Sequence, residues 1–173
     1  VWTFNTELNT LTTVLADGNT YYLGTYSNHS TISASTIDKA PTSFVSHLYT
    51  GAIPEETPEQ PGTPDTPDNP SQEGKLVTAP KAGEAYKLAL VQENLNKDLY
   101  FAGAMQGFYY ATTEDASAAT DVILVETEGG FHLTMKDGTA TKYLNVVREM
   151  GTNGKEHNNV RIDDSAVSVW TFN

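Results

Sequence analysis

The chain of 173 residues contains no cysteine, which excludes disulfides, thiolate metal sites and cysteine nucleophiles together. Basic residues are scarce: ten Lys and Arg stand against 22 Asp and Glu, for a formal net charge of -12. A field of that sign repels phosphate backbones and anionic lipid, so nucleic acid and membrane surfaces are not expected as partners. No run is long and apolar enough to span a bilayer, and no basic-then-apolar leader is present. Any export signal or wall anchor is therefore expected outside this segment. Phosphate-cradling glycine loops, dinucleotide fingerprints and calcium loops of the Asp-x-Asp-x-Asp-Gly kind are also missing, so no cofactor is expected.

One segment differs from the rest. "GAIPEETPEQPGTPDTPDNPSQEG", residues 51–74, holds six of the eight prolines and six carboxylates, with no aromatic and no basic residue. From Pro58 onward the prolines recur at every third position, the turn length of polyproline II, and the carboxylates repel one another. At about 3.1 Å per residue such a segment reaches on the order of 70 Å. Its composition predicts a stiffened spacer, although a disordered loop has the same signature.

On either side the pattern is β. "LTTVLADGNTYYLGTY" runs two alternating segments into Asp17-Gly18, a pair that tolerates the positive φ angles of a tight hairpin turn. "GGFHLTMKDGTATKYLNVV" repeats the design around Asp137-Gly138, and Asn153-Gly154 marks a third turn. The one helix-compatible piece is "TEDASAATD", where Thr113 is placed to cap a single turn. The expected fold is all-β, built of short antiparallel hairpins. Leu11 and Tyr22, Leu99 and Tyr109, and Leu133 and Tyr143 each frame a hairpin of similar length. Three hairpins of one design suit a β-trefoil, and a β-sandwich meander gives similar spacing.

The two tips of the chain are identical. Val1-Trp2-Thr3-Phe4-Asn5 is repeated as Val169-Trp170-Thr171-Phe172-Asn173. Residues 75–173 end on this strand and carry two of the hairpins; residues 6–50 follow its other copy and carry the third. Joined through "VWTFN", these 99 and 45 residues make one unit of 144. The chain thus reads as a permuted window on a tandem repeat: residues 1–50 the C-terminal part of a repeat unit, 51–74 the linker, 75–173 the N-terminal part of the same or the next unit. Either the two parts belong to neighbours, or the chain closes on itself with two copies of one strand competing for one place. Val1, Trp2, Phe4, Val169, Trp170 and Phe172 are the candidate exchange residues, with Trp170 and Phe172 alternating onto a core face.

"YKLALVQENLNKDLYFAGAMQGFYYATTEDASAATDVILVETEGGFHLTM", with "TKYLNVV", "YYLGTYSNHSTISAS" and "FVSHLYT", resembles a repeat domain of large secreted or cell-surface proteins of Gram-positive gut bacteria. The resemblance covers everything but the spacer. It implies an extracellular location and a modular parent, with neighbouring copies of the repeat as partners, and it implies no catalytic activity.

The residues themselves offer little chemistry. His29, His47, His132 and His157 have no metal-ligand spacing. Glu126 and Glu128 share a strand face, but Glu128 runs directly into Gly129-Gly130 and reads as part of a turn. His29 beside Ser30 is an adjacency, not a nucleophile oriented by a base. The aromatics in "YYLGTY" and "GFYYAT" are more informative. Adjacent strand residues face opposite ways, so one ring of each pair can fill the core while the other stays outside. Tyr22, Tyr26, Tyr109 and Tyr110 are accordingly the candidate sugar-stacking rings. The expectation is a non-catalytic surface module in a tandem array with a stalk, filament or adhesive role. The alternative is a carbohydrate-binding module for a polysaccharide or host glycan.

Overall fold

The structure is a computed structural model that describes residues 10–25, 31–36, 45–50, 74–92, 97–106 and 109–172. They form strands β1 (Leu11–Val14), β2 (Thr20–Thr25), β3 (Ile32–Ser35), β4 (Ser46–Thr50), β5 (Lys75–Leu76), β6 (Ala85–Gln92) and β7 (Lys97–Gln106). Then follow β8 (Tyr109–Thr113), β9 (Asp121–Thr127), β10 (Gly130–Asp137), β11 (Ala140–Met150), β12 (Glu156–Asp163) and β13 (Trp170–Phe172). All ladders are antiparallel, and the expected all-β class holds.

Turn chemistry explains the hairpins. Gly18, Gly138 and Gly154 have φ of 77°, 59° and 71°, the left-handed region that glycine enters without strain. At the first turn Asp17 Oδ1 accepts from the Asn19 amide at 3.0 Å, and the Leu15 carbonyl accepts from Gly18 at 2.9 Å. At the third, Asn153 Oδ1 accepts from the Lys155 amide at 3.0 Å. The 3-10 turn Ala116–Ala118 lies where a helical turn was expected, but its cap is Asp115, whose carboxylate accepts from the Ser117 amide at 2.8 Å. Thr113 instead accepts from the Asp115 amide, one step outside the turn.

Six strands form the central path β1-β13-β10-β9-β6-β4, and a single antiparallel bridge, Thr10↔Val45, links the chain beside β1 to the chain beside β4. Apart from that bridge the ladders leave the path open. Every second strand of the path carries a two-stranded extension: β2-β3 on β1, β11-β12 on β10 and β7-β8 on β6. The outer strands β3, β8 and β12 touch one another, with a bridge between Thr31 and Ala111. The segment framed by Leu99 and Tyr109 is therefore not equivalent to those framed by Leu11 and Leu133. It spans β7 and β8, while the others span β1-β2 and β10-β11; their counterpart in the strand plan is β6-β7.

The core draws on both sides of the spacer. Leu11, Leu23, Ile32 and Leu48 pack in one cluster with Leu88, Phe101, Leu124, Leu133, Leu144 and Trp170. Strands from residues 10–50 and from 74–172 thus share one sheet and one core, joined at β1-β13 and at β4-β6. Thr50 and Lys75, the residues flanking the spacer, sit opposite each other in the β4-β5 ladder. Within this chain the spacer leaves and returns at neighbouring positions; residues 51–73 themselves lie outside the described residues.

Candidate functional site

Among the described residues, β13 occupies a closely fitted place. β13 lies between β1 and β10: Phe172, Thr171 and Trp170 face Leu11, Thr12 and Thr13, and Trp170 also faces Phe131. Trp170 has no exposed surface, and its indole N–H donates to the Leu144 carbonyl at 2.8 Å, so both halves of its amphipathic ring are satisfied. Phe172 packs edge-on against Phe131, with ring centroids 5.9 Å apart. Trp170 is a core residue as expected, the partly buried Phe172 packs against that core, and Val169 precedes them at the edge of the same slot.

Gly130, the first residue of β10, opens the slot. A Cβ at this position would run into the Trp170 carbonyl oxygen and would stand 3.2 Å from Val169 Cγ1. Its φ is not left-handed, so the need for glycine here is close backbone approach and not conformation.

The approach to β13 is held by Asn145 in β11, which is fully buried. Its Oδ1 accepts from the amides of Val167 and Ser168 at 2.9 and 3.1 Å. Its Nδ2 donates to Asp163 Oδ2 and to the Ser165 carbonyl, both at 2.9 Å. One side chain therefore makes the hydrogen bonds that four groups of residues 163–168 require, the full capacity of an amide. The Ser168 hydroxyl accepts from the Val146 amide at 2.8 Å, and His132 Nδ1 lies 3.0 Å from the Ser168 carbonyl. The last strand is threaded through a fixed guide before it enters the sheet.

The candidate stacking rings separate. Tyr110 is a core residue at 8% exposure, its hydroxyl accepting from the Ile162 amide at 3.1 Å. It is buried, and it is also among the residues that line an open recess. Tyr22 is half-buried, while its neighbour Tyr21 enters the core and donates to Asp17 Oδ2 at 2.8 Å. Tyr26 and the Tyr109 side chain lie outside the described residues, as do Val1, Trp2 and Phe4. The open recess of about 310 Å³ is lined by Tyr110 together with Gly103, Thr120, Met135, Lys136, Asp137, Lys142 and Ile162.

A cluster that residue spacing does not announce joins His47, Tyr49 and Asp98. The Tyr49 hydroxyl donates to Asp98 Oδ2 at 2.7 Å, with His47 Nδ1 3.3 Å from that hydroxyl and 3.8 Å from the carboxylate. Burial, then the hydrogen bond to Asp98, pushes the Tyr49 phenol far above its ordinary range. The neighbouring imidazole and the Tyr49 hydroxyl pull the Asp98 carboxyl below its ordinary value, against its own burial. The cluster couples β4 to β7 across β6. Among the described residues no three His, Asp or Glu side chains converge to hold a metal ion, and no helix is long and apolar enough to cross a membrane.

No protein-family model matches the chain, and neither the curated proteins nor the solved structures include a significant match to it. Fold and slot together define an all-β module whose last strand is held between β1 and β10.

Proposed function

We propose that the chain is a non-catalytic module of a bacterial surface protein, one unit of a tandem array with a stalk or adhesive role. The observation that carries this reading is the seat of "VWTFN". The sequence that ends the chain is one of the strands that join residues 10–50 to residues 74–172, and the same sequence stands five residues before β1. A unit written as residues 75–173 followed by 6–50 would then be continuous through this strand. Its strand plan, a six-strand path with an extension on every second strand, supports a β-trefoil in permuted order. The -12 charge and the acidic proline-rich spacer suit an extended, soluble arrangement outside the cell.

Protease treatment of intact source cells tests the reading. Peptides of this chain should be released without lysis, and the gene should carry several copies at a period of 168 residues, the 173 less the repeated five. Recovery only after lysis, or a single copy in the gene, refutes it.

A second reading, glycan binding, is favoured by the open recess beside Tyr110. There Asp137, Lys136 and Lys142 supply polar groups beside the ring of Tyr110 and the apolar Met135 and Ile162, a mixture suited to a carbohydrate. Depletion of the chain by insoluble polysaccharides or immobilised mucin glycans, lost in Asp137→Ala with the fold intact, supports it. Retention of nothing across the panel removes it.

A further inference from the structure

We infer that the open recess takes a single uncharged sugar unit and turns acidic sugars away, and that Asp164, which does not line it, sets this preference by occupying Lys142. The inference rests on the glycan reading and deepens it, naming the class of sugar and a residue that selects it.

The recess is a product of the fold around it. Between Phe101 and Met105 the β7-β8 ladder shifts register, and Gly103 stands in that irregularity at a φ of 70°. A Cβ there would collide with Thr120 Oγ1, so glycine is needed for its conformation and for space. Thr120 in turn pins the strand: its amide donates to the Phe101 carbonyl and its hydroxyl to the Ala102 carbonyl, each at 2.8 Å. The β10-β11 hairpin contributes Met135, Lys136, Asp137 and Lys142. A volume of about 310 Å³ is at the lower end for a small-molecule site. It suits one sugar ring, and the open mouth lets the rest of a glycan lead away.

Charge decides what kind of ring. Lys142 is already engaged: its ammonium lies 2.6 Å from Asp164 Oδ1, and that bond holds it charged above the ordinary lysine range, with Asp137 and Asp163 adding to the same field. Lys136 donates to the neutral Thr141 hydroxyl at 2.8 Å and is followed directly by Asp137. The two ammonium groups thus share their surroundings with three carboxylates, in a chain of net charge -12. A carboxylate or sulfate on a sugar would enter against that field and would have to displace Asp164 to reach Lys142. A hydroxyl meets no such conflict, because one oxygen both accepts from an ammonium and donates to a carboxylate. Among the described residues the Asp137 carboxylate has no hydrogen-bond or ion-pair partner, so it is free to accept from that hydroxyl.

NMR titration of the full chain reads the preference. The probes are the methyl glycosides of glucose, galactose and mannose, each with the methyl glycoside of its uronic acid as the charged counterpart. At least one uncharged glycoside should shift the amides of Asp137, Lys142 and Ile162 saturably, and its uronic counterpart should not. Asp164→Asn, at a side chain 86% exposed, should stay folded and bind that uronic glycoside at least about tenfold more tightly than the parent, the worth of one hydrogen bond to a charged group. In Asp164→Asn/Lys142→Gln the gain should be lost, which separates the release of Lys142 from a change in net charge. A parent chain that binds a uronic glycoside as tightly as its uncharged counterpart overturns the inference. So does an Asp164→Asn chain without the gain, a gain that survives in the double variant, or an absence of shifts with every uncharged glycoside. None of these outcomes removes the glycan reading itself, which is judged by retention on the insoluble polysaccharides and mucin glycans.

Discussion

Adding one methyl group at Gly130 tests the seat of the last strand directly. The Cβ of Gly130→Ala would overlap the Trp170 main-chain oxygen, and main chain cannot rotate aside as a flexible side chain can. Since the φ of Gly130 is one that alanine adopts freely, any loss comes from space alone. Two responses are open to the protein. β13 can shift within its slot, at the about 1–3 kcal/mol of an overpacked core. It can instead leave, at the about 3–5 kcal/mol that removing a buried tryptophan from a core costs. The smaller figure sets the minimum, and at about 2–4 °C per kcal/mol for a chain of this size the melting temperature should fall by at least about 2 °C. Urea unfolding followed by circular dichroism measures the loss. A Trp2→Phe background makes Trp170 the sole indole, so a red shift of its emission before global unfolding separates departure from a local shift. Gly138→Ala is the comparison: its φ of 59° strains alanine by about 1–2 kcal/mol, but nothing lies near the added Cβ, and Trp170 emission should not move. If Gly130→Ala is as stable as the parent within about 0.5 kcal/mol and its emission is unchanged, β13 does not lie against β10 as described.

Further outcomes follow from the surrounding groups. Asn145→Ala strands the buried amide of Ser168, at about 1–3 kcal/mol, removes the acceptor of the part-buried Val167 amide, and should also raise hydrogen exchange at both positions. Exchange that rises only elsewhere refutes the guide role. For Asp98, whose folded pKa lies below its ordinary 3.8, the stabilisation is present above 3.8 and is lost as pH falls through the folded value. The stability gap between the parent and Asp98→Asn should therefore be widest near neutral pH and shrink below 3.8; a gap independent of pH contradicts the hydrogen-bonded cluster. Tyr22→Ala should leave the fold intact, since the ring is only half-buried, whereas Tyr110→Phe should lose the bond to the Ile162 amide and about 1 kcal/mol in a denaturant titration.

Local chemistry was readable before the fold was known, and long-range chemistry was not. Asp17-Gly18, Asp137-Gly138 and Asn153-Gly154 announce their turns because a tight reversal needs positive φ, a demand met within two residues. Alternation announces that one of Tyr21 and Tyr22 turns inward, and Trp170 and Phe172 read as core for the same reason. Alternation alone does not say which ring of a pair is inside: Tyr110 lies in the core because Ile162, 52 residues later, brings its amide to the hydroxyl. Asn145 is one amide among many asparagines until residues 163–168 close over it. His47 and Asp98 come together across β6, and nothing in their spacing foretells it. Gly130 follows Gly129 and reads as turn, while its actual constraint is imposed by Trp170. The cap at Asp115 in place of Thr113 is a smaller miss of the local kind, since both residues suit that role.

The pairing of Thr50 with Lys75 gives the module a mechanical character. In an array, tension would reach each domain through the spacers attached at these two residues, which lie side by side at the same end of the β4-β5 ladder. Force applied there opens the ladder one pair at a time, first Thr50 and Lys75, then Tyr49 and Leu76, and loads no set of hydrogen bonds in parallel. Such a geometry yields at low force. The six-strand path behind it would be shielded until β4 begins to peel from β6, so the first extension under load would come from the spacer and the short β5 strand, with the slot for "VWTFN" among the last places to feel the pull.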